Sequence, residues 1–234
     1  MKICVLRQMT RCCGAAIAAA LIAGVTPAAS VANAAEGWYF SGQAGGSFLS
    51  DAALDDPTGI LAALNTEVEF DPGFSVAGSV GYGFDIGVRV EAEVNFAKNN
   101  LDEISVDGTV LGVTVTGAAP MDGNVTATGF MANAFYDLDI GEPWKPYAGG
   151  GIGLAIVSLN DAEILGIPVA DDDDTVFAWQ VGGGVGYEIT PAWILSLDYR
   201  FFATADPDFT DVAGDPFSAE YDSHRVSVGV RYTF

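Results

Sequence analysis

Apolar and polar residues alternate along most of this chain, and the alternation is cleanest over residues 88–96. There Val88, Val90, Ala92, Val94 and Phe96 fall on one side of an extended backbone. Arg89, Glu91, Glu93 and Asn95 fall on the other. Successive side chains of a strand point to opposite faces, so the rhythm predicts a strand with one apolar and one polar face. Seven further segments read the same way: 38–49, 74–82, 125–136, 146–157, 176–189, 193–202 and 225–234. In the last, Val226, Val228, Val230, Tyr232 and Phe234 share a face, with Arg225 and Arg231 on the other.

Most of these segments have the 9–11 residues that a tilted strand needs to cross a bilayer, or slightly more. Eight is an even number, as single-chain bacterial barrels require, and closing the sheet removes edges that lipid could not satisfy. The pattern predicts an all-β fold: a transmembrane antiparallel up-and-down β-barrel of eight strands. Strand eight must meet strand one to close it. The connections alternate in length. Residues 83–87, 137–143 and 190–192 are short, whereas 50–73, 97–124, 158–175 and 203–222 are long. Short periplasmic turns and long outer loops are the expected arrangement. The second long connection carries Ile104-Ser105-Val106 and Val113-Thr114-Val115 around Gly108, which predicts a hairpin extending the neighbouring strands. A ten-stranded barrel is the alternative that this hairpin raises.

The N-terminus follows a different pattern. Lys2, Arg7 and Arg11 precede an apolar run from Gly14 to Val25, and Ala32-Asn33-Ala34 supplies an A-x-A site. This predicts a cleavable signal peptide over 1–34 and a barrel domain over 35–234. The run is too short to span a membrane as a helix. Cys4, Cys12 and Cys13 all lie in the signal, so the mature domain is expected to contain neither disulfides nor thiolate chemistry.

Charge changes the picture twice. Only six basic residues follow the signal: Arg89, Lys98, Lys145, Arg200, Arg225 and Arg231. Four of them, the arginines, face the polar side, as do Glu91, Glu93, Glu188 and Asp198. Buried charge is costly unless paired, and an eight-stranded interior is just wide enough for side chains to fill. A packed ion-pair plug is therefore expected; a narrow charged pore is the competing reading. The long connections are acidic, with 22 Asp and Glu against Lys98 alone. Such a surface repels nucleic acid and favours cations.

Asp171-Asp172-Asp173-Asp174 offers hard oxygen ligands of the kind Ca²⁺ or Mg²⁺ takes. Asp206, Asp208, Asp211 and Asp215 miss the EF-hand spacing, because Thr210 and Asp211 occupy the fifth and sixth places. A solvated acidic rim is the simpler expectation for both, and neither metal nor cofactor is assigned. Gly149-Gly150-Gly151 and Gly182-Gly183-Gly184 lie inside alternating strands and read as close packing, not as phosphate loops. His224 is the sole histidine. Its neighbours Asp222 and Ser223 give no triad, because adjacent strand residues face opposite ways; no catalytic residue is assigned. Trp38, Trp144, Trp179 and Trp193, with Tyr187, Tyr232 and Phe234, fit interfacial girdles.

Several pieces together resemble the eight-stranded outer-membrane beta-barrel family of porin-like or OmpA-like proteins. They are Gly37-Trp38-Tyr39-Phe40-Ser41-Gly42, residues 87–93, Lys145-Pro146-Tyr147-Ala148-Gly149-Gly150-Gly151, residues 193–200 and the terminal Gly229-Val230-Arg231-Tyr232-Thr233-Phe234. The resemblance implies the bacterial outer membrane, with membrane lipids as partners. It also implies recognition by the barrel-assembly machinery through the strand ending in Phe234. No peptidoglycan-binding domain is expected beyond that strand. Fold does not fix role in such a family. The expected role is a non-enzymatic surface or membrane-integrity protein whose acidic loops meet divalent ions. A small cation-preferring channel is the alternative, and a lipid-modifying enzyme or protease is the third reading. A secreted sandwich would replace them all if the chain were soluble without detergent.

Overall fold

A computed structural model describes residues 36–55, 64–110, 113–141, 143–212 and 214–234. The expected signal segment and its cysteines lie outside the described residues. Among those described, the chain is built from twelve strands and no helix is long and apolar enough to cross a membrane. The strands are β1 (Gly37–Leu49), β2 (Ala52–Asp55), β3 (Leu64–Phe70), β4 (Gly73–Gly83), β5 (Val88–Val110) and β6 (Val113–Asp137). They continue with β7 (Trp144–Ile164), β8 (Ile167–Thr190), β9 (Trp193–Thr204), β10 (Asp208–Thr210), β11 (Pro216–Ala219) and β12 (Asp222–Thr233).

Eight of them form a closed antiparallel wall in the order β5-β4-β1-β12-β9-β8-β7-β6, with β6 returning to β5. The seam between the chain ends is a full ladder running from Tyr39 opposite Thr233 to Leu49 opposite Ser223. The eight-strand reading holds, and the ten-strand alternative does not. The faces follow the period-two pattern. Phe40, Val94, Phe130, Ile152, Leu154, Leu197 and Val228 are exposed on the outside, while Glu91, Glu93, Asn133, Gln180 and Arg200 are buried inside.

The long connections differ from the expectation of open, solvated loops. The 104–115 hairpin exists as foreseen, but it is the continuation of β5 and β6, which run for 23 and 25 residues. The third connection is likewise the tip of a hairpin. β7 and β8 stay paired to Ile164 opposite Ile167, leaving only Leu165 and Gly166 in the turn. Both turn residues have positive φ, 53° and 78°, as a type I′ hairpin requires. The first and fourth connections contribute β2, β3, β10 and β11. β3 pairs with the distal half of β5, β2 with β3, β11 with β2 and β10 with β11. A bridge between Ala170 and Asp211 then returns this sheet to β8.

The result is two stacked rings that share β5 to β8. In the lower ring β4, β1, β12 and β9 complete the wall. In the upper ring β3, β2, β11 and β10 take their places. β-bulges at Asn100/Glu103, Asp122/Asn124 and Leu159/Ala162 mark the level where one ring passes into the other. A bulge bends its strand, which lets a continuous wall change course.

Candidate functional site

The lower ring is filled from its wall inwards. Arg89 and Arg231 flank Asp137: Arg89 Nε donates to Oδ1 at 2.8 Å and Arg231 Nη1 to Oδ2 at 3.2 Å. One layer further in, Arg200 donates to Glu93 and lies 4.0 Å from Glu91. Tyr39 donates its hydroxyl to Glu91 at 2.9 Å. Gln180 Nε2 donates to Asn133 Oδ1 at 2.7 Å, and Asn133 Nδ2 donates to both glutamates. Tyr147 donates to Asp198, which also accepts from Ser196 Oγ at 2.7 Å. Lys145 sits at the short-turn mouth, 3.9 Å from Glu188 and 4.0 Å from Asp139.

All four inward arginines are where the sequence places them. Two participants escape it: Asp137 falls in the short 137–143 connection, and Lys145 precedes the alternating run that begins at Pro146. Asp137 continues the inward parity of Asn133 and Phe135, which is the signal that would have found it. Glycine makes room for this network. A Cβ on Gly151 would collide with Asn133 Oδ1, so the inward face of β7 must be bare where Asn133 lies across it. That is the packing role foreseen for the glycine runs.

Arg225 differs from the other arginines. Among the described residues no carboxylate lies within ion-pair distance of it; its Nη1 donates to Asn95 Oδ1 at 2.9 Å and its Nε to Ser223 Oγ at 3.1 Å. Its guanidinium lies 4.1 Å from the ring centre of Phe202, a cation–π contact. Phe202 is fully buried and meets Tyr221 edge-on at 6.2 Å. Below this layer the interior is charged. Above it the inward residues are Val125, Val157, Leu159, Met121 and Leu101, one apolar cluster that continues into the upper ring. The uniformly polar interior expected from the sequence is therefore confined to the lower part. The missed signal is local: Val176-Phe177-Ala178-Trp179 and Phe201-Phe202 are apolar on both faces, as strands between two apolar environments must be.

The upper ring surrounds a half-open chamber of about 320 Å³, lined mostly by apolar side chains from β3, β5, β6, β7 and the segment 207–221. The acidic run lies at the edge of this chamber. Asp172 Oδ2 accepts from the Thr210 amide at 2.9 Å and Asp174 Oδ2 from the Asp208 amide at 3.0 Å. With the Val212 amide donating to the Val169 carbonyl at 3.0 Å, they clasp β10 to β8 where backbone pairing is reduced to a bridge. The run is thus part of a strand with a structural task, not a solvated loop. Asp211 and Asp215 are joined in a turn, the Asp215 amide donating to Asp211 Oδ1 at 2.8 Å. Among the described residues no three His, Cys, Asp or Glu side chains converge as a metal site would need.

At the wall-side end of β3, opposite Glu103, Glu69 has its carboxyl pushed above the ordinary range, by desolvation first and then by Asp51, Glu103 and Asp102. His224 faces outward and shares a 2.8 Å hydrogen bond between its Nδ1 and the Tyr199 hydroxyl, while Ser223 points inward and is fully buried.

Aromatic pairs ring the short-turn end of the wall: Trp38 with Tyr82, Trp144 with Tyr187 and Trp193 with Tyr232. Phe234 joins them through Phe40 and Tyr232. Trp179 does not; it packs on Phe201 at 5.4 Å, towards the other end of the wall. An apolar outer face with an aromatic belt at its short-turn end, around a closed and polar-filled wall, defines a transmembrane β-barrel.

Residues 15–234 match the family model described as outer membrane protein beta-barrel domain, and the chain belongs to that family. It is a protein of the bacterial outer membrane. It is 26% identical over 230 residues to the outer membrane protein PagN of Salmonella typhimurium, covering 88% of this chain and 93% of that one. Its fold is similar to that of the outer membrane protein OprG of Pseudomonas aeruginosa, with a TM-score of 0.52 at 12% identity over 85% of this chain and 98% of that one. Neisserial surface protein A superposes with a TM-score of 0.49 at 23% identity, covering 84% and 97%.

Proposed function

We propose that the protein is a non-conducting, non-enzymatic surface barrel. Its lower ring anchors and seals, and its upper ring presents a folded acidic structure beyond the membrane. The observation that carries this reading is the plug. Arg89, Arg231 and Asp137, then Arg200, Glu91 and Glu93, then Gln180 and Asn133 cross the interior and bond to one another. A conducting pore needs a hydrated path past such charges; here they are satisfied by protein. In barrels of this class the short turns are periplasmic, which directs the upper ring to the cell exterior. The acidic exterior suits the divalent ions that accompany outer-membrane lipids, and the strand ending in Phe234 suits recognition by the assembly machinery.

Planar bilayer recording on the purified barrel tests the sealed interior. Current is expected to stay at baseline in 1 M-range salt, the regime in which small pores are easiest to see. Ohmic, cation-selective steps that persist after Glu93→Gln would replace this reading with the channel.

A further inference from the structure

The chamber in the upper ring has three properties that together describe a guest. The first is size. Protein interiors are close-packed, and voids larger than a water molecule are few. At about 320 Å³ this one falls within the range of small-molecule sites. Dry apolar cavities of half that volume already take up small hydrocarbons.

The second is charge. Asp211, Asp215 and Glu220 contribute to the lining, and among the described residues no Lys, Arg or His does. Arg225, the nearest buried cation along β12, lies beneath the Phe202 ring and bonds to Asn95 and Ser223. An anionic guest would enter an apolar space without a counter-charge, which is strongly disfavoured.

The third is a single polar atom. Thr66 lines the chamber at 3% exposure, and its Oγ1 has no hydrogen-bond partner among the described residues. Its backbone is committed to Val106 on one side and Leu54 on the other. Buried hydroxyls are normally bonded, so an orphan carried by a residue of the chamber wall marks where a guest's polar atom belongs.

We propose that the upper ring is a binding site for a small uncharged amphiphile: a hydrocarbon body in the chamber, with one hydroxyl or carbonyl bonded to Thr66 Oγ1. Access to the lower ring is blocked by the Phe202–Arg225 layer, so the chamber is a blind pocket serving retention at the surface, not passage through the wall.

Methionine gives the test a built-in reporter. Outside the signal region the chain has only Met121, in the chamber lining, and Met131, below it among the buried residues of the wall. The barrel, labelled with ¹³C at the methionine methyls and held in phosphatidylcholine nanodiscs, is titrated with 1-octanol, octane and octanoate at matched bilayer mole fraction. Octanol is expected to shift the Met121 methyl saturably and leave Met131 nearly still. Octanoate should bind at least about tenfold more weakly. Thr66→Val should weaken octanol by about three- to tenfold, the range of one hydrogen bond, and leave octane unchanged. Ala219→Trp and Ile104→Trp fill the chamber from two different strands, and either should abolish the Met121 response. An unshifted Met131 and a retained heat-dependent gel shift show that these variants still form the barrel. A Met121 shift that never saturates, or one that survives both filling variants, overturns the site. Equal binding of octanoate overturns the uncharged guest, and octanol binding unaffected by Thr66→Val overturns the polar contact.

Discussion

Glu93 accepts hydrogen bonds from Arg200, Asn95, Asn133 and Gln180, which reach it from β9, β5, β6 and β8. Removing its carboxylate leaves a buried guanidinium whose remaining ion pair among the described residues is with the more distant Glu91, at 4.0 Å. Glu93→Ala is expected to cost about 3–5 kcal/mol in urea unfolding of the lipid-reconstituted barrel. Glu93→Leu with Arg200→Met should recover most of that loss, because an apolar pair of similar volume escapes the desolvation penalty. Gly151→Val is expected to cost about 1–3 kcal/mol in the same measurement, since Asn133 would be forced off the wall and out of its bond to Gln180. At this scale the sequence was informative about parity and silent about partners. Period two placed Glu93, Arg200 and Gln180 inside. Which of them meet depends on stagger between strands far apart in the chain. Asp137 shows the cost of that: inward by parity, it looked like a turn residue because its two arginines are 48 and 94 positions away.

Among the elements, the β7–β8 hairpin and the β8–β10 seam carry opposite kinds of strain. Leu165 occupies a left-handed position that suits Asn far better. Leu165→Asn is expected to stabilise the hairpin by roughly 1 kcal/mol, seen as slower amide exchange at its tip. The seam depends on side chains. Asp172→Ala with Asp174→Ala should speed exchange of the Asp208 and Thr210 amides by roughly tenfold and leave the β9–β12 ladder unaffected. Glu69 gives the upper ring a pH response. Its carboxyl is raised in the folded state, so the folded form holds its proton to higher pH than the unfolded one. The contribution therefore favours the folded ring once pH falls below that raised value, and weakens as pH climbs through it. Exchange protection of residues 64–70 should increase on mild acidification, and Glu69→Gln should remove the effect. The strands crossing the membrane were legible because lipid outside and charge inside impose one rhythm. β2, β3, β10 and β11 were not. Their surroundings are mixed, they are as short as three residues, and their partners lie far along the chain.

For the molecule as a whole, the wall closes as the terminal strand implied, with Phe40 opposite Tyr232 and His224 opposite Phe48. The acidic surplus, 31 Asp and Glu across the chain, has no equal number of bases to meet, and most of it lies in or beside the upper ring. Screening such a surface should matter more to the upper ring than to the plug, because exposed charges are screened by salt and buried pairs hardly at all. The clasp at β8 and β10 gives this division a mechanical meaning. Around the membrane wall the strands are joined by ladders of ten or more backbone pairs, which must be broken in sequence. At the clasp the described links are a single bridge, a Val212–Val169 bond and two carboxylates. Pulled apart, the protein is expected to fail there first, as a buckle fails before its strap: the upper ring springs open along one line while the barrel in the membrane stays whole.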